Sequence, residues 1–435
     1  MNLPPEKYIG EIDGEAPVLE VELDDFEIAR QENVANLPPL GLITNVHDFE
    51  HVAKNILPKG AWAYYSSGAD DEISLRENHY AYQRIYFRPR ILVNVKNIDT
   101  STTLLGTPTS VPFYVTATAL AKLGHPDGEC SIARGAGKEG VIQMISTLSS
   151  CSIEEVSEAK PEGATQWFQL YVNEDRNVTK DLINRAEKAG MKAIFLTVDA
   201  PSLGNREKDR KAKEAEAPNV KLADDASMDE GSSRALSTFI DASLNWKDVK
   251  WIKEQTKLPL IIKGVQRLDD VVKAMDNGCQ GVVLSNHGGR QIDTSPPPVE
   301  LLAEVVPQLK AMGRLPNPDF SIFIDGGVRR AGDVLKAVAI GGHDVRVGVG
   351  IGRPFLYANS GYGEAGVRKL IQILKDEMML TMRSLGTPTI DDLDNSFVDT
   401  RRLIGRDATD MLYNNVYMPL QTVQFANHGH NRHDV

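Results

Sequence analysis

Eight short apolar runs, each rich in β-branched residues, follow one another along the chain from residue 111 onward. The runs lie at residues 111–119, 141–147, 165–172, 193–200, 258–265, 281–288, 320–328 and 345–353. Most are separated by segments with apolar residues at helical spacing, and several of these segments end in the glycine typical just past a helix. Strands that alternate with helices eight times predict an α/β fold, a (β/α)8 TIM barrel, rather than an open sheet.

The segments outside this alternation predict further parts of the molecule. The first 36 residues are acidic with little periodicity, and a helical pattern begins after Pro39. The charged connection after the fourth run, at about 205–245, predicts a lid or a disordered, solvated insertion. The expected regions are an acidic linker or arm, an N-terminal extension that packs on the barrel, the barrel with its last helix, and a C-terminal extension with a tail, at residues 1–36, 37–110, 111–385 and 386–435.

Composition and charge exclude several classes of protein. With 41% apolar and 25% charged residues, the chain is ordinary for a globular protein with a sizeable core. A formal net charge of -12 argues against nucleic acid or an anionic membrane as the main partner. We find neither an apolar run near the roughly 20 residues of a membrane span nor a secretory signal. These features predict an intracellular, soluble protein, and a mitochondrial one if a targeting peptide or haem domain precedes this sequence.

The cysteine and histidine positions argue against a metal site. Cys130, Cys151 and Cys279 are widely separated and form no CxxC motif, which excludes a disulfide framework, a zinc knuckle and a c-type haem. His47 and His51 lie four residues apart, but without a third ligand we interpret them as part of a solvated helix face. The histidines close to the C-terminus are interpreted as a disordered polar tail.

Polar side chains stand at the ends of nearly all the apolar runs, where barrel packing would favour Val, Ile or Leu. Because the carboxyl ends of the strands meet at one face of such a barrel, and active sites lie there, these side chains predict a functional site. They are Thr118, Ser146, Gln169, Tyr171, Thr197, Asp199, Lys263, His287 and Asp325.

The stretch after the sixth run, Ser285-Asn286-His287-Gly288-Gly289-Arg290, carries the most specific chemistry. A histidine can take a proton, and a nearby arginine can hold a carboxylate by two parallel hydrogen bonds. Such a pair suits oxidation of, or proton abstraction from, a small acid. From this segment alone, a turn that contains a structurally satisfied histidine is an equal alternative.

Two other features predict charged ligands. The loops after the seventh and eighth runs are rich in glycine, and each supplies an arginine, Arg329 and Arg353, as in the phosphate sites of many barrels. Lys263 ends an apolar strand and needs an anion there. Asp199 could pair with a protonated His287 and make that histidine a stronger base.

Several motifs together resemble one family. These motifs are SNHGGRQ, IKGV, TVDAP, FQLYV, YYSSGADDE and DGGVRRAGDVLKA, and the resemblance runs from residue 37 to about residue 377. They resemble the FMN-dependent 2-hydroxy-acid dehydrogenases and oxidases, and among them the flavin domains of the flavocytochrome b2 type more than the glycolate oxidases. The resemblance implies that the cofactor is FMN.

The resemblance also implies catalytic roles. His287 would be the base that starts substrate oxidation, Asp199 would stabilise its protonated form, and Tyr171 would hydrogen-bond the substrate hydroxyl. Whether His287 takes the carbon-bound proton or the hydroxyl proton stays open. Lys263 would stabilise negative charge on the reduced flavin.

Substrate and cofactor contacts follow from the same resemblance. Arg290 and Tyr64 would bind the substrate carboxylate, helped by Arg206 from the charged loop. Ala119 and Leu148 would face the variable group of the substrate, and a leucine there favours the methyl group of lactate over mandelate. The residues that would contact FMN, besides Lys263, are Thr118, Ser146, Gln169, Thr197, Ser285, Asp325, Gly327, Arg329, Gly352 and Arg353.

Three features depart from the family pattern. The haem-domain motif HPGG is not present, so we expect either a flavin domain alone or an electron acceptor that is another protein or a quinone. The stretch before the eighth strand holds about four additional residues, which puts the start of that strand and the role of His343 in doubt. The charged loop differs from its relatives, so no contact beyond Arg206 is transferred.

The favoured function is the FMN-dependent oxidation of an L-2-hydroxy acid, with L-lactate favoured, by a homotetramer that passes electrons to a cytochrome or quinone. The alternatives within the family are an L-mandelate dehydrogenase and a peroxide-forming oxidase. Outside it, a phosphate-binding lyase or isomerase would use Lys263 as a Schiff base. A non-catalytic flavin-binding or assembly subunit is a third alternative, which is disfavoured because the base, the carboxylate-binding arginine and the flavin lysine occur together.

Overall fold

The computed structural model describes residues 25–215 and 239–403, and for residues 213–215 it describes the backbone alone. Most of the acidic arm, the centre of the charged connection and the histidine-rich tail, which the sequence analysis interpreted, lie outside the described residues.

Eight parallel strands close into a barrel, which confirms the predicted TIM-barrel fold. Each strand lies within one of the predicted runs, and the eighth strand pairs with the first through Val349 and Phe113. The strands β1 to β8 are Phe113–Val115, Gln143–Ser146, Gln166–Leu170, Ile194–Thr197, Leu260–Val265, Gly281–Leu284, Ser321–Asp325 and Arg346–Ile351.

The strands alternate with helices that cover the barrel. The last of these helices ends at Gly386, whose φ of 76° permits the left-handed C-cap that the sequence predicted. The helices α1 to α8 are Gly128–Lys138, Ile153–Ala159, Arg176–Lys188, Trp246–Gln255, Leu268–Asp276, Pro298–Ala311, Ala331–Gly341 and Gly363–Leu385. In the described part of the chain, the helix Glu207–Ala215 follows Arg206, and the helix Arg353–Asn359 follows β8.

Aromatic side chains fill much of the barrel interior. Trp167 stacks on Phe195 with ring centroids 5.0 Å apart, and Tyr114 and Phe323 pack edge-on against Trp167. Gly348 makes room for Phe323, because a Cβ at that position would lie 2.6 Å from the ring. The glycine on β8 thus leaves the space that the large ring on β7 occupies.

From residue 25 onward, four α-helices precede the barrel, at Asp25–Ala35, Val46–Ile56, Lys59–Ser66 and Ile73–Gln83. The first was not predicted, because it buries only Ala29 and Asn33 and therefore carries a weak apolar pattern. The second packs on the helix Arg353–Asn359. After them, a two-stranded hairpin, Thr102–Leu104 with Thr107–Thr109, sends Leu104 into the cluster inside the barrel.

The structure corrects the interpretation of His47 and resolves the start of β8. His47 is buried beside His79, with ring centroids 6.3 Å apart, so it does not lie on a solvated face. Burial lowers the pKa of His47 to about 4. The additional residues before β8 form a turn in which His343 is exposed, and the strand begins at Arg346, at the end of the barrel away from the polar strand ends.

Two features bear on the predicted setting of the protein. Within residues 25–215 and 239–403, no helix combines the length and the apolar character needed to cross a membrane. All three cysteines are free thiols.

Candidate active site

A cavity of about 330 Å³ opens at the carboxyl ends of the strands. All the predicted site residues line it except Asp199 and Ser285, each of which hydrogen-bonds a residue that does. The lining residues predicted from sequence are Tyr64, Thr118, Ala119, Ser146, Leu148, Gln169, Tyr171, Thr197, Arg206, Lys263, His287, Arg290, Asp325, Gly327, Arg329, Gly352 and Arg353. The fold therefore brings together residues from all eight strand ends and from the N-terminal extension.

His287 and Asp199 form the central pair of this cavity. The His287 Nδ1 lies 2.9 Å from Asp199 Oδ1, and its Nε2 lies 3.4 Å from the hydroxyl of Tyr171. Burial raises the pKa of Asp199, but the attraction of His287 and Lys263 outweighs it and holds that pKa below its ordinary value. The carboxylate is therefore ionised, and Nδ1 carries the hydrogen that it accepts.

Backbone geometry allows Asp199 to reach this position. The pairing of β5 with β6 has an irregularity between Lys263 and Val265, and Gly264 there has a φ of +107°. A Cβ on Gly264 would lie 2.5 Å from the Cβ of Asp199. Glycine at this position thus admits the carboxylate beside the end of β5.

Two further residues of the cavity interact with this pair: Tyr171 is neutral, and Lys263 is positively charged. Burial raises the pKa of Tyr171, helped by the charge of Asp199, so its hydroxyl remains a neutral donor. Burial lowers the pKa of Lys263, but Asp325 and Asp199 outweigh this effect and raise it. The Lys263 Nζ lies 3.5 Å from Asp325 Oδ2, and Asp325 also accepts a hydrogen bond from Ser285. Lys263 is therefore a buried cation.

Two arginines, Arg290 and Arg206, bring further positive charge to the cavity. Arg290 donates through Nη1 to the carbonyls of Tyr64 and Ser67, and its guanidinium lies 4.8 Å from the ring centroid of Tyr64. Burial lowers the pKa of Arg206 to about 9, and repulsion from Arg290 adds to the effect. An anion held between the two guanidiniums would relieve that repulsion.

Polar side chains from β2, β3 and β4 are joined by hydrogen bonds in the cavity. Ser146 donates to Gln169 over 3.1 Å, and the amide group of Gln169 donates to Thr197 over 2.9 Å. Thr118, which follows β1, lines the same cavity. These side chains offer both donors and acceptors, which suits a heterocycle with polar edges.

The end of the cavity near β7 and β8 carries the arginines predicted for phosphate. Arg353 donates to the carbonyls of Tyr65, Ser67 and Gly288, so it also ties the N-terminal extension to the histidine loop. Arg329 pairs with Glu50. A Cβ at Gly327 would overlap backbone, lying 2.0 Å from a carbonyl oxygen, so the chain approaches this end closely.

The residues present fit FMN. The cavity offers polar groups for a heterocycle, two arginines for a phosphate, and a lysine whose positive charge is stabilised by Asp325 and Asp199. Lys263 could compensate negative charge on a reduced ring, and Arg329 and Arg353 could hold a phosphate.

Some residues of the cavity were missed by the sequence analysis. Leu203 and Ile240 come from the two ends of the charged connection and pack with Leu148 and Tyr171 in an apolar cluster. They lie outside any periodic run, so no local pattern indicated them. Gln291 was quoted only as part of a motif, yet its side chain joins four positions of the loop after β4.

The N-terminal extension also contributes more than was predicted. The amides of Asn78 and Asn286 bond each other reciprocally, at 2.8 and 2.7 Å, beside His287. His79 lines the cavity and lies 3.0 Å from the carbonyl of Gly327. Such contacts join residues more than 200 positions apart, which a reading of local sequence cannot find.

Comparison with known proteins gives concordant matches. The family model described as FMN-dependent dehydrogenase matches residues 53–400. L-lactate dehydrogenase (cytochrome) from Wickerhamomyces anomalus is 54% identical over 428 residues, covering 97% of this chain and 74% of that protein. The protein of the same description from Saccharomyces cerevisiae is 51% identical, covering 95% of this chain and 72% of that protein.

A solved structure agrees with these sequence matches. A double mutant of flavocytochrome b2 with pyruvate bound superimposes with a TM-score of 0.81 at 51% identity, covering 94% of this chain and 100% of that chain. The family model alone covers most of the sequence, and the barrel and cavity carry the residues that the resemblance predicted. The chain belongs to the FMN-dependent dehydrogenase family.

Proposed function

We propose that this protein oxidises L-lactate to pyruvate with FMN as its cofactor and passes the electrons to a haem protein. The observation that carries the proposal is the His287–Asp199 pair, which lies in one cavity with two arginines and a buried lysine. The similarity to L-lactate dehydrogenases (cytochrome), at 51% identity or more over most of the chain, supports the substrate and the type of acceptor.

His287 is the proposed base, and Nε2 is the atom that takes the proton. Its Nδ1 is engaged with Asp199, so the lone pair of the neutral ring is on Nε2, on the side of Tyr171. Proton transfer to Nε2 creates an imidazolium beside an ionised carboxylate, which is a favourable ion pair in a buried site. Tyr171, a neutral phenol, donates to the substrate hydroxyl oxygen and so orients that group toward the base.

The substrate carboxylate is proposed to lie between Arg290 and Arg206. The Nη1 edge of Arg290 is held by two carbonyl groups, which leaves its other N–H groups for a bidentate contact. Arg206 donates to the backbone carbonyl of Arg290 over 3.2 Å, which ties the Arg206 side chain to the loop that carries Arg290. The hydroxyl of Tyr64 would complete the carboxylate site.

Bound FMN supplies the acceptor for the two electrons and the second hydrogen that oxidation to a 2-oxo acid releases. Lys263 would hold the positive charge that stabilises the reduced ring, and Ser146, Gln169 and Thr197 would bond the polar edges of the ring. A protonated lysine is a poor nucleophile, so its raised pKa argues against the lyase or isomerase with a Schiff base.

The size of the pocket supports a small substrate side chain. Leu148, Tyr171, Ala200 and Ile240 form a buried apolar cluster against which Ala119 packs. A methyl group fits such a cluster, whereas the phenyl ring of mandelate would have to displace one of its members.

The proposal has three further parts. The protein forms a homotetramer, its electron acceptor is a haem protein, and its location is mitochondrial if a targeting peptide precedes this sequence. Size-exclusion chromatography with light scattering tests the assembly. Reduction of added cytochrome c, compared with peroxide formation under air, tests the acceptor and separates the dehydrogenase from an oxidase.

The experiment that tests the reaction is anaerobic titration of the purified, FMN-loaded protein. Bleaching of the flavin band by L-lactate, and not by D-lactate, is the expected outcome. Bleaching by L-mandelate but not by L-lactate would contradict the proposed substrate and retain the reaction. A protein that takes up no FMN would contradict the cofactor contacts.

A further inference from the structure

A buried carboxylate behind the cavity, Glu129, has no part in the reaction described above. Glu129 is the second residue of α1, and only 3% of its surface is exposed. Its two carboxylate oxygens accept four hydrogen bonds. An anion at this position is also favoured by the N-terminus of its own helix.

All four donors come from two loops of the barrel. Glu129 Oε1 accepts from the backbone N–H of Ala121 and from that of Ser150, each over 3.0 Å. Glu129 Oε2 accepts from the hydroxyl of Ser150 over 2.7 Å and from the backbone N–H of Cys151 over 3.1 Å. The Ser150 hydroxyl in turn accepts from the backbone N–H of Lys122 over 3.0 Å. One carboxylate thus joins the loop after β1 to the loop after β2.

These two loops carry Ala119 and Leu148, which the proposed function places against the variable group of the substrate. Ala119 lies two residues before Ala121, and Leu148 lies two residues before Ser150. The first loop is further constrained, since Leu120 adopts a left-handed φ of 59° and its carbonyl accepts from the hydroxyl of Tyr65 over 2.8 Å. The spacing between Ala119 and Leu148 therefore depends on the contacts made by Glu129.

We propose that Glu129 is a positioning residue that sets the width of the substrate side-chain pocket. It touches neither substrate nor cofactor and acts through the two loops, so its effect falls on the choice among 2-hydroxy acids rather than on proton transfer. The inference rests on the proposed function, because it concerns the same pocket.

The test compares FMN-loaded Glu129→Gln with the wild-type protein on a series of L-2-hydroxy acids of increasing chain length, from L-lactate to L-2-hydroxyhexanoate. A glutamine retains one oxygen, but its NH2 group faces the N–H of Cys151 and cannot accept from it. We expect the loops to separate and the preference for L-lactate over the longest acid, measured as a ratio of kcat/KM, to fall about tenfold. The KM for L-lactate should rise more than kcat falls.

The matched control is Glu139→Gln, the same substitution at the other end of α1. Glu139 accepts from Arg368 over 2.9 Å and from Gln372 over 3.3 Å, on the side of the helix toward α8. We expect this variant to lose thermal stability and to keep the wild-type ratio. An equal fall of the ratio in Glu139→Gln would mean that general loosening is responsible, and would overturn the proposal.

A milder variant, Ser150→Ala, covers the case in which Glu129→Gln does not fold. It removes the hydroxyl that connects Glu129 to the N–H of Lys122, and a smaller fall of the ratio in the same direction is expected. An unchanged ratio in every variant that folds would overturn the proposal. If the wild-type protein is bleached by none of the acids, the proposed function fails instead, and the two failures are distinguished by that measurement.

Discussion

The His287 Nδ1 lies 2.9 Å from Asp199 Oδ1, although 88 positions separate the two residues in the chain. The barrel brings them together because β4 and β6 both end at the same face, with the irregular end of β5 between them. The contact fixes which ring nitrogen carries hydrogen and leaves Nε2 as the basic atom. It therefore links the fold directly to the proposed proton transfer.

Asp199→Asn tests this link. The asparagine oxygen can still accept from Nδ1, but the negative charge that stabilises the imidazolium is lost. We expect the rate of anaerobic flavin reduction by L-lactate to fall about 10²-fold, within the range typical of general-base catalysis. Asp269→Asn, a change of an exposed carboxylate on α5, is the control and should keep the wild-type rate. A wild-type rate in Asp199→Asn would refute the role of the pair.

The pH dependence of the reaction follows from the same contact. Burial lowers the pKa of His287 below 6.5, and the attraction of Asp199 opposes this effect only in part. A base must be neutral, so kcat/KM is full above that pKa and is lost as the pH falls through it. We expect the acid limb of the profile below pH 6.5. In Asp199→Asn, the attraction that raises the pKa is gone, so the limb should move to still lower pH. A limb above pH 6.5 would contradict the assignment.

Much of this site could be predicted from the sequence because one pattern, an apolar run that ends in a polar side chain, recurs along the chain. Nearly every apolar run ended in a polar side chain, and the closure of a barrel places such ends together whatever their distances in the chain. His287, Lys263 and Asp325 were found in this way. Their mutual distances could not be predicted, since these depend on the stagger of the strands and on the irregularity at Gly264.

The missed residues share a physical reason. Ile240 and Leu203 reach the cavity from irregular loops, and Asn78 meets Asn286 only because the N-terminal extension folds over the barrel. The buried position of His47 has the same origin, since its helix is covered by another part of the molecule. Contacts made between distant segments leave no period in the local sequence.

Lys263→Met should separate the flavin role of this lysine from the rejected Schiff-base role. Methionine keeps the apolar volume but removes the cation, which leaves Asp325 without its partner 3.5 Å away. Loss of one member of a buried pair costs about 3–5 kcal/mol, so the unfolding temperature should fall. We also expect the reduction potential of the bound flavin, measured by dye equilibration, to decrease. An unchanged potential would contradict the proposed contact with the reduced ring.

A chemical test of Lys263 complements the variant. Because the lysine stays protonated in the folded protein, borohydride reduction in the presence of pyruvate should leave no adduct at this position. Mass spectrometry of the digested protein gives the answer. A reduced adduct on Lys263 would revive the lyase or isomerase.

Ile240→Ala tests whether the end of the charged connection limits substrate size. The side chain packs with Leu148 and Tyr171, so its truncation opens space next to the proposed methyl site. We expect kcat/KM for L-2-hydroxyhexanoate to rise about tenfold relative to that for L-lactate. Leu380→Ala, at a position that is 62% exposed on α8, is the matched control. If the ratio of the two kcat/KM values is the same in both variants, Ile240 does not limit the size of the substrate.

Gln291→Met tests how Arg206 is held. The Gln291 oxygen accepts from the N–H of Gly204 over 3.2 Å and from Arg206 over 3.4 Å, and its nitrogen donates to the carbonyls of Asp199 and Ser202. Methionine has a similar length but makes none of these bonds, and each buried polar group left unsatisfied costs about 1–3 kcal/mol.

If Arg206 binds the substrate carboxylate, loosening its loop should raise the KM for L-lactate about tenfold while kcat changes less. Gln308→Met is the control, because Gln308 lies on the exposed face of α6 and its side chain donates to that of Glu304, far from the substrate loops. Steady-state kinetics and thermal unfolding are measured on both variants. A fall in unfolding temperature with an unchanged KM would mean that Gln291 holds the loop together without positioning Arg206, and the carboxylate would then depend on Arg290 and Tyr64 alone.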